Sequence, residues 1–385
     1  MKSTLLRFLS LLLATLVHVL ALALISGAWA ANCGFSLESV TRITSSGGKS
    51  QTARDNARCI GVDSKGTAHM VWTDDRDGNV EIYYATLSGD AVAAEVRLTK
   101  TQEESSFPCI ALQGDNVYVL WQETVGQISQ IYLVHLLNGK ELARKKLTTS
   151  VLGASCPVSA VGPDGALHIA WHEGPGAMSA VYYGKVVGDT LVSRTEICTK
   201  HAGAFRPDIA VNPAGQVLVA WYEGLEIKSR LWDGKTWGDE VLVATNDNRE
   251  WRLSLAAMSG GKWALAWYNQ ALTGTDVLAK LYDGKTWYGQ VRLNKGRNGF
   301  YPAMASLDGG KLLATWEDQD LANGKYLLLM SCYDGQAWSE PAEVVRDGAM
   351  SRYSSLATAG DAVHAIWFSP KPGNDEIFHG LLRRR

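Results

Sequence analysis

Seven times along the 385 residues one line recurs: a run of small and apolar residues, a glycine turn, then an apolar run ending in Trp. The copies read CIGVDSKGTAHMVW, CIALQGDNVYVLW, VSAVGPDGALHIAW, DIAVNPAGQVLVAW, SLAAMSGGKWALAW, AMASLDGGKLLATW and SLATAGDAVHAIW. Their last residues are Trp72, Trp121, Trp171, Trp221, Trp267, Trp316 and Trp367, at steps of 49, 50, 50, 46, 49 and 51 residues. A fixed period of this length constrains the fold more than any single motif, because each copy must be one structural unit.

The unit is read from its alternation. After each Trp comes a polar loop and a second alternating run, such as VEIYYATL or QIYLVHLL, and most copies close on a short strand such as EVRLT or QVRLN. That makes four strands joined by hairpin-type turns rich in Gly, Asn and Asp. A lone four-stranded sheet leaves both faces wet, and stacking such sheets around an axis buries them. The chain is therefore expected to be all-β: a seven-bladed β-propeller of four-stranded antiparallel blades. The seventh copy stops one strand short, and ESVTRITSS (Glu38–Ser46) has the pattern of a closing strand. The N-terminal strand is expected to complete the last blade. The Trp at each strand end recurs in every blade, which suits a wedge between blades better than a ligand platform.

Residues 1–30 are read as a secretory signal peptide. Lys2 and Arg7 precede an apolar run that ends at Ala28-Trp29-Ala30, a small-x-small cleavage pattern. Residues 31–385 form the single propeller domain, secreted or periplasmic, with no membrane span after cleavage. Losing Lys2 and Arg7 moves the formal charge from −2 to about −4, so nucleic acid is excluded as the main partner. The six Cys (33, 59, 109, 156, 198 and 332) all lie in the exported part, where disulfides are permitted. Their spacing fits no metal pattern, and a domain of this length buries a core without staples. Bridges and buried thiols both stay open, although Cys59 and Cys109 occupy equivalent positions and should point the same way, against a bridge between them. Asp74–Asn79 (DDRDGN) lacks the rest of a calcium loop; no metal or cofactor is expected, and a monomer is.

The strand count sorts the motifs onto two faces. Loops between the first and second strands share a face with loops between the third and fourth. The near-repeats LWDGKTW, LYDGKTW and CYDGQAW, with Asp233, Asp283 and Asp334, fall on that face. Asp should bond the turn backbone and Gly should supply a positive φ, so these are read as fold signatures. The opposite face is chemically richer. Two residues after each Trp stand Asp74, Glu123, Glu173, Glu223, Asn269, Asp318 and Ser369. Just before each first strand, in the register of the Pro in FRPDIAV, stand Ala57, Phe107, Cys156, Arg206, Arg252, Tyr301 and Tyr353, flanked by Arg58 and Arg352. The recurring acids suit turn caps as well as a site. The Arg and Tyr series varies between blades, which favours a site: Arg forks match carboxylates and Tyr stacks on sugar rings.

The whole exported part resembles the sialidase-like propellers that carry Asp-box repeats. The DGKTW copies carry the resemblance, as do VWTDDRDGNVEIYYATL (Val71–Leu87) and FRPDIAVNPAGQVLVAWYE (Phe205–Glu223). The turn here is one residue short between Asp and Gly, its Ser is absent, and the catalytic members have six blades. The resemblance implies an arginine clamp, here Arg58, Arg206 and Arg252. It also implies a Tyr nucleophile (Tyr301 or Tyr353) with Glu223 to take its proton, and Asp74 or Asp75 as acid/base. The order departs from the family, since Arg206 precedes Glu223. A two-carboxylate glycosidase would instead draw on Asp74, Glu123, Glu173, Glu223 and Asp318. The leading expectation is a non-catalytic recognition module for a glycan or an extracytoplasmic protein. Its ligand residues would be Arg58, Arg206, Arg252, Arg352, Tyr301, Tyr353, Glu123, Glu173, Glu223 and Asp318. A glycoside hydrolase is the alternative, and a scaffold in a surface assembly is the third reading.

Overall fold

The computed structural model describes residues 33–200, 203–248, 252–295, 298–319, 324–345 and 350–385; the expected signal peptide lies outside them. Alternating apolar residues and Gly turns give seven antiparallel sheets arranged as blades. Blade 2 shows the plain pattern: strand A Ser105–Gln113, B Asn116–Val125, C Ile128–Leu137 and D Lys140–Lys146. Blades 3 to 6 repeat it, with strands A starting at Ala154, Ala204, Leu253 and Asn298. Blade 7 takes A, B and C from Arg352–Ala359, Ala362–Ser369 and Glu376–Arg384, and its D strand is Phe35–Arg42. Residues from the two ends of the described chain thus pair in one sheet, with Thr41 opposite His379. The N-terminal strand closes the ring, as expected, by pairing with the edge that strand C of the last blade would otherwise leave open.

Covalent chemistry reinforces the closure. Cys33, two residues before the closing strand, is bonded to Cys332 in strand C of blade 6 (Tyr326–Tyr333), 299 residues away. Cys59, Cys109, Cys156 and Cys198 are free and buried. The open question about bridges versus thiols therefore resolves into one bridge and four thiols, with none between Cys59 and Cys109.

The seven repeat Trp residues are wedges. Six are fully buried and Trp367 is 2% exposed. Trp72, Trp121, Trp171 and Trp367 lie face to face with Tyr83, Tyr132, Tyr182 and Phe378 of the neighbouring strand C. Deleting one such ring to Ala costs about 3–5 kcal/mol.

The three Asp-Gly turns share one geometry. Asp233 accepts from the backbone N–H groups of Lys235 and Thr236, both at 2.8 Å. Asp283 and Asp334 repeat both bonds. These N–H donors hold the three carboxyls below the usual range. Gly234, Gly284 and Gly335 sit at φ near +100° (107, 92 and 108), where a Cβ is strained. The turns are scaffold, as read from the sequence.

Blade 1 breaks the pattern. Its strand A is two short pieces, Ser50–Gln51 and Ile60–Val62. From Gln51 to Ile60 the chain advances nine positions while strand B moves three, from Thr73 to Met70. Six extra residues leave the sheet and enter the centre of the ring.

Candidate functional site

The site begins with a backbone feature. In blades 2, 3, 4, 6 and 7 strand A carries a one-residue bulge near its start. The bulged residues are Phe107, Cys156, Arg206, Tyr301 and Tyr353, all at φ between 48° and 55°. In four of them the next residue is Pro (108, 157, 207 and 302). Pro has no N–H for the ladder, and a bulge absorbs the gap and re-aims the side chain. A left-handed φ on a non-Gly residue costs on the order of 1–3 kcal/mol, and such strain concentrates at functional sites. The register picked out by Pro is therefore real, and five of its seven members share this conformation.

These side chains meet the extra segment of blade 1. Thr52 donates to the Tyr353 carbonyl (2.7 Å) and Asn56 to the Pro108 carbonyl (3.3 Å). Arg58 crosses to blade 4 and grips Asp208 with both prongs, at 2.6 and 3.1 Å. Arg252 of blade 5 is fully buried and donates to the carbonyls of Arg54 (3.0 Å), Ser354 (2.8 Å) and Ala53. Residues 52–58 are thus an axial plug tied to several blades.

Two of the expected ligand arginines are spent on this plug. Arg252 has no exposed surface, and Arg58 serves Asp208 and the Ile209 carbonyl. Neither presents a free fork to a ligand, which corrects the clamp of Arg58, Arg206 and Arg252. Arg206, half-buried like Arg58, lies over the Phe205 ring at 5.0 Å. Arg352 pairs with buried Glu317 at 3.1 Å and covers the Tyr353 and Tyr326 rings. The structure does bring Tyr301 and Tyr353 together, edge to face at 4.7 Å, with Arg252 near both rings.

The acids go elsewhere. Each lies two residues after a Trp on the same strand face, and for four of the five the indole N–H finds it; the Trp72 indole, before Asp74, has no partner. Trp121 donates to Glu123 (3.2 Å), Trp171 to Glu173 (2.8 Å), Trp221 to Glu223 (3.4 Å) and Trp316 to Asp318 (3.3 Å). Glu173 also pairs with Arg194, and Glu223 with Lys228. Asp74 is buried and held by Ser50 and Arg76. These acids are held by indoles and cations rather than by the turn N–H groups a cap would use; Asp74 does cap its turn, accepting from the Arg76 backbone N–H at 2.9 Å. No hydrogen bond joins Glu223 to Tyr301 or Tyr353 among the described residues, so the expected nucleophile and base are not paired.

What remains at the mouth is a cavity of about 300 Å³ lined by Lys49, Arg54, Asp75, Glu104, Phe107 and Tyr353, among others. Asp75 accepts from the Lys49 backbone N–H there (2.7 Å). Beside the plug lies a second group that the sequence reading missed. Asp55 is fully buried, and desolvation pushes its carboxyl up against the pull of the Cys156 thiol and the charges of Arg252 and Arg206. Its Oδ2 has no hydrogen-bond partner. His172 is driven down to about 4 by burial and by Arg206, so it is neutral at pH 7, and its Nδ1 is also without a partner. The one sequence signal for this group was length. The polar run KSQTARDNAR before Cys59 is longer than the links between other blades.

No protein-family model matches the chain, and no curated protein matches it. Solved structures share its fold. An ulvan lyase bound to -[GlcA(1-4)Rha3S]- aligns at TM-score 0.62 and 10% identity, over 89% of this chain and 96% of that one. Another polysaccharide lyase aligns at TM-score 0.60 and 9% identity, over 91% and 100%. An oligogalacturonate lyase from Vibrio parahaemolyticus aligns at TM-score 0.55 and 14% identity, over 90% and 96%. At such identities the likeness shows the fold alone. No helix among the described residues is long and apolar enough to cross a membrane.

Proposed function

We propose that this propeller is an exported, non-catalytic recognition module that holds an acidic glycan at the mouth of its axial plug. The observation that carries the reading is the set of five strained residues at one register, of which Phe107 and Tyr353 line the mouth with Arg54 and Cys156 and Arg206 act on Asp55 of the plug. Strain at one repeated backbone position, filled by Phe, Cys, Arg, Tyr and Tyr, has a cost that scaffold alone does not require. Phe107 offers an aromatic face to a sugar ring, and Tyr353, whose ring Arg352 covers, lines the same cavity. Arg54 and Lys49 at the cavity, with Arg206 beside Asp55 of the plug, supply positive charge for its acidic groups. The carboxylates a retaining or inverting glycosidase would need are occupied by indoles, Arg and Lys, which weakens the hydrolase reading.

One observation favours a second reading. A neutral His172 with an unpartnered nitrogen feels the charge of Arg206. An Arg that neutralises a uronate carboxylate, with a neutral imidazole to take the adjacent carbon-bound proton, is the equipment for β-elimination. The polysaccharide lyases that share the fold make this the enzyme reading to test.

The test is binding and turnover on the same mature protein. A glycan array of uronate, sialoside, sulfated and neutral oligosaccharides should retain acidic members, and Arg206→Ala with Arg54→Ala should lose them. Ultraviolet absorbance should show no unsaturated uronate forming from those ligands. A rise in absorbance that vanishes in His172→Ala would replace the module with a lyase. An array on which only neutral glycans bind, unchanged by the two Arg substitutions, would overturn the site.

A further inference from the structure

The third Asp-Gly turn differs from the other two in sequence and in what surrounds it. In the first two copies the turn Trp is locked onto its neighbours. Trp237 packs edge-on against Tyr183 of blade 3 at 5.0 Å. Trp287 stacks on Tyr282 at 4.9 Å, and its indole N–H donates to Ser229 of blade 4 at 2.9 Å. In the third copy Lys and Thr are replaced by Gln336 and Ala337. Trp338 rests against Tyr333 of its own blade at 5.6 Å and against the apolar cluster of blades 5 and 6. Its indole N–H makes no hydrogen bond among the described residues. Beside it, between blades 5 and 6, lies a groove of about 500 Å³.

The groove has the chemistry of a carbohydrate subsite. Trp338, Tyr333 and Tyr288 line it, and Tyr288 is 38% exposed. Aromatic rings with a polar handle present a flat apolar face and one donor each, and the Tyr288 hydroxyl and Gln336 amide make no side-chain hydrogen bond among the described residues. The volume falls within the range of small-ligand sites. Charge on the rim is balanced: Arg292 pairs with Asp276 at 2.8 Å, and Lys295 with Glu340. A balanced rim offers no unpaired cation to an acidic sugar.

We propose that this groove is a second carbohydrate subsite, on the face away from the axial mouth, that takes a neutral pyranose by stacking on Trp338 and Tyr288. It is independent of the reading of the mouth. Two sites on opposite faces would let one ring hold two glycan segments at once, with the gain in avidity that linkage gives.

The experiment is titration of the intact mature protein with cellotriose, xylotriose and maltotriose, followed by the indole N–H resonances of the Trp residues. The Trp338 peak is assigned by its loss in Trp338→Phe. At least one trisaccharide should shift that peak. Tyr288→Ala and Gln336→Ala, both at exposed positions, should each weaken the response, the aromatic change by about tenfold. Arg206→Ala at the mouth should leave it unchanged, which separates this site from the other. A Trp338 peak that none of the three sugars moves would sink the proposal. So would a shift of equal midpoint in Tyr288→Ala.

Discussion

The two faces of the ring are built from the same repeat but spend it differently. On the Asp-Gly face each turn is solved locally: a carboxylate bonds the backbone two and three residues ahead, so a copy works wherever it is placed. At the axis the arginine bonds that tie the plug to the blades are long-range. Arg252 reaches carbonyls 198 and 102 residues away, and Arg58 an acid 150 residues away. Local devices are repeated and interchangeable. Long-range ones occur once, vary between blades, and carry the ring's integrity.

If that contrast is right, damage should scale with reach. Arg252→Met should be the most costly change, about 3–5 kcal/mol, because several carbonyls lose a charged donor in a dry site. Urea unfolding measures it, and an unchanged midpoint would break the contrast. Replacing Cys33 and Cys332 together by Ser should cost about 2–4 kcal/mol; the same midpoint shift should follow on reducing the native protein. Next is a pH effect. His168, buried against Tyr183, is held down to about 4 by desolvation. Below its ordinary value near 6.5 the unfolded chain takes a proton that the folded one refuses. Stability from this group is complete above about pH 6.5 and declines as pH falls toward 4, by on the order of 3 kcal/mol at most. His168→Gln should lessen the slope of urea midpoints between those pH values, the remainder coming from His172 and His379, which burial also holds down. The smallest effect should come from Asp233→Ala or Asp283→Ala, at exposed turns, where the melting temperature should barely move. A large drop there would mean the turns are more than local.

Much of this was legible in the sequence, and the reason is the same contrast. Trp72 to Trp367 announced the blade count because every blade must bury one wedge. Closure by the N-terminal segment followed from a missing strand, although the strand that pairs is Phe35–Arg42 rather than Glu38–Ser46. The turns at Asp233, Asp283 and Asp334 were read correctly because their bonds are only a few residues long. The acid ring was ambiguous, yet the clue was present: a residue two after Trp shares its face, and the indole N–H needs an acceptor. Arg58 and Arg252 were misassigned because register places a side chain at the axis without revealing what waits there. Asp55 and Asn56 went unread because a broken strand leaves no periodic trace.

The bond between Cys33 and Cys332 also sets an order of events. Cys33 precedes its partner by 299 residues, so in a chain growing from its N-terminus it has no Cys332 to meet until strand C of blade 6 is made. Closing so long a loop is slow and entropically costly. During that interval blade 7 lacks its outer strand and shows an unpaired edge, which is the state most prone to pairing with another copy. The ring is therefore most vulnerable to aggregation just before it is finished, and refolding under reducing conditions, which prolongs that interval, should lower the yield.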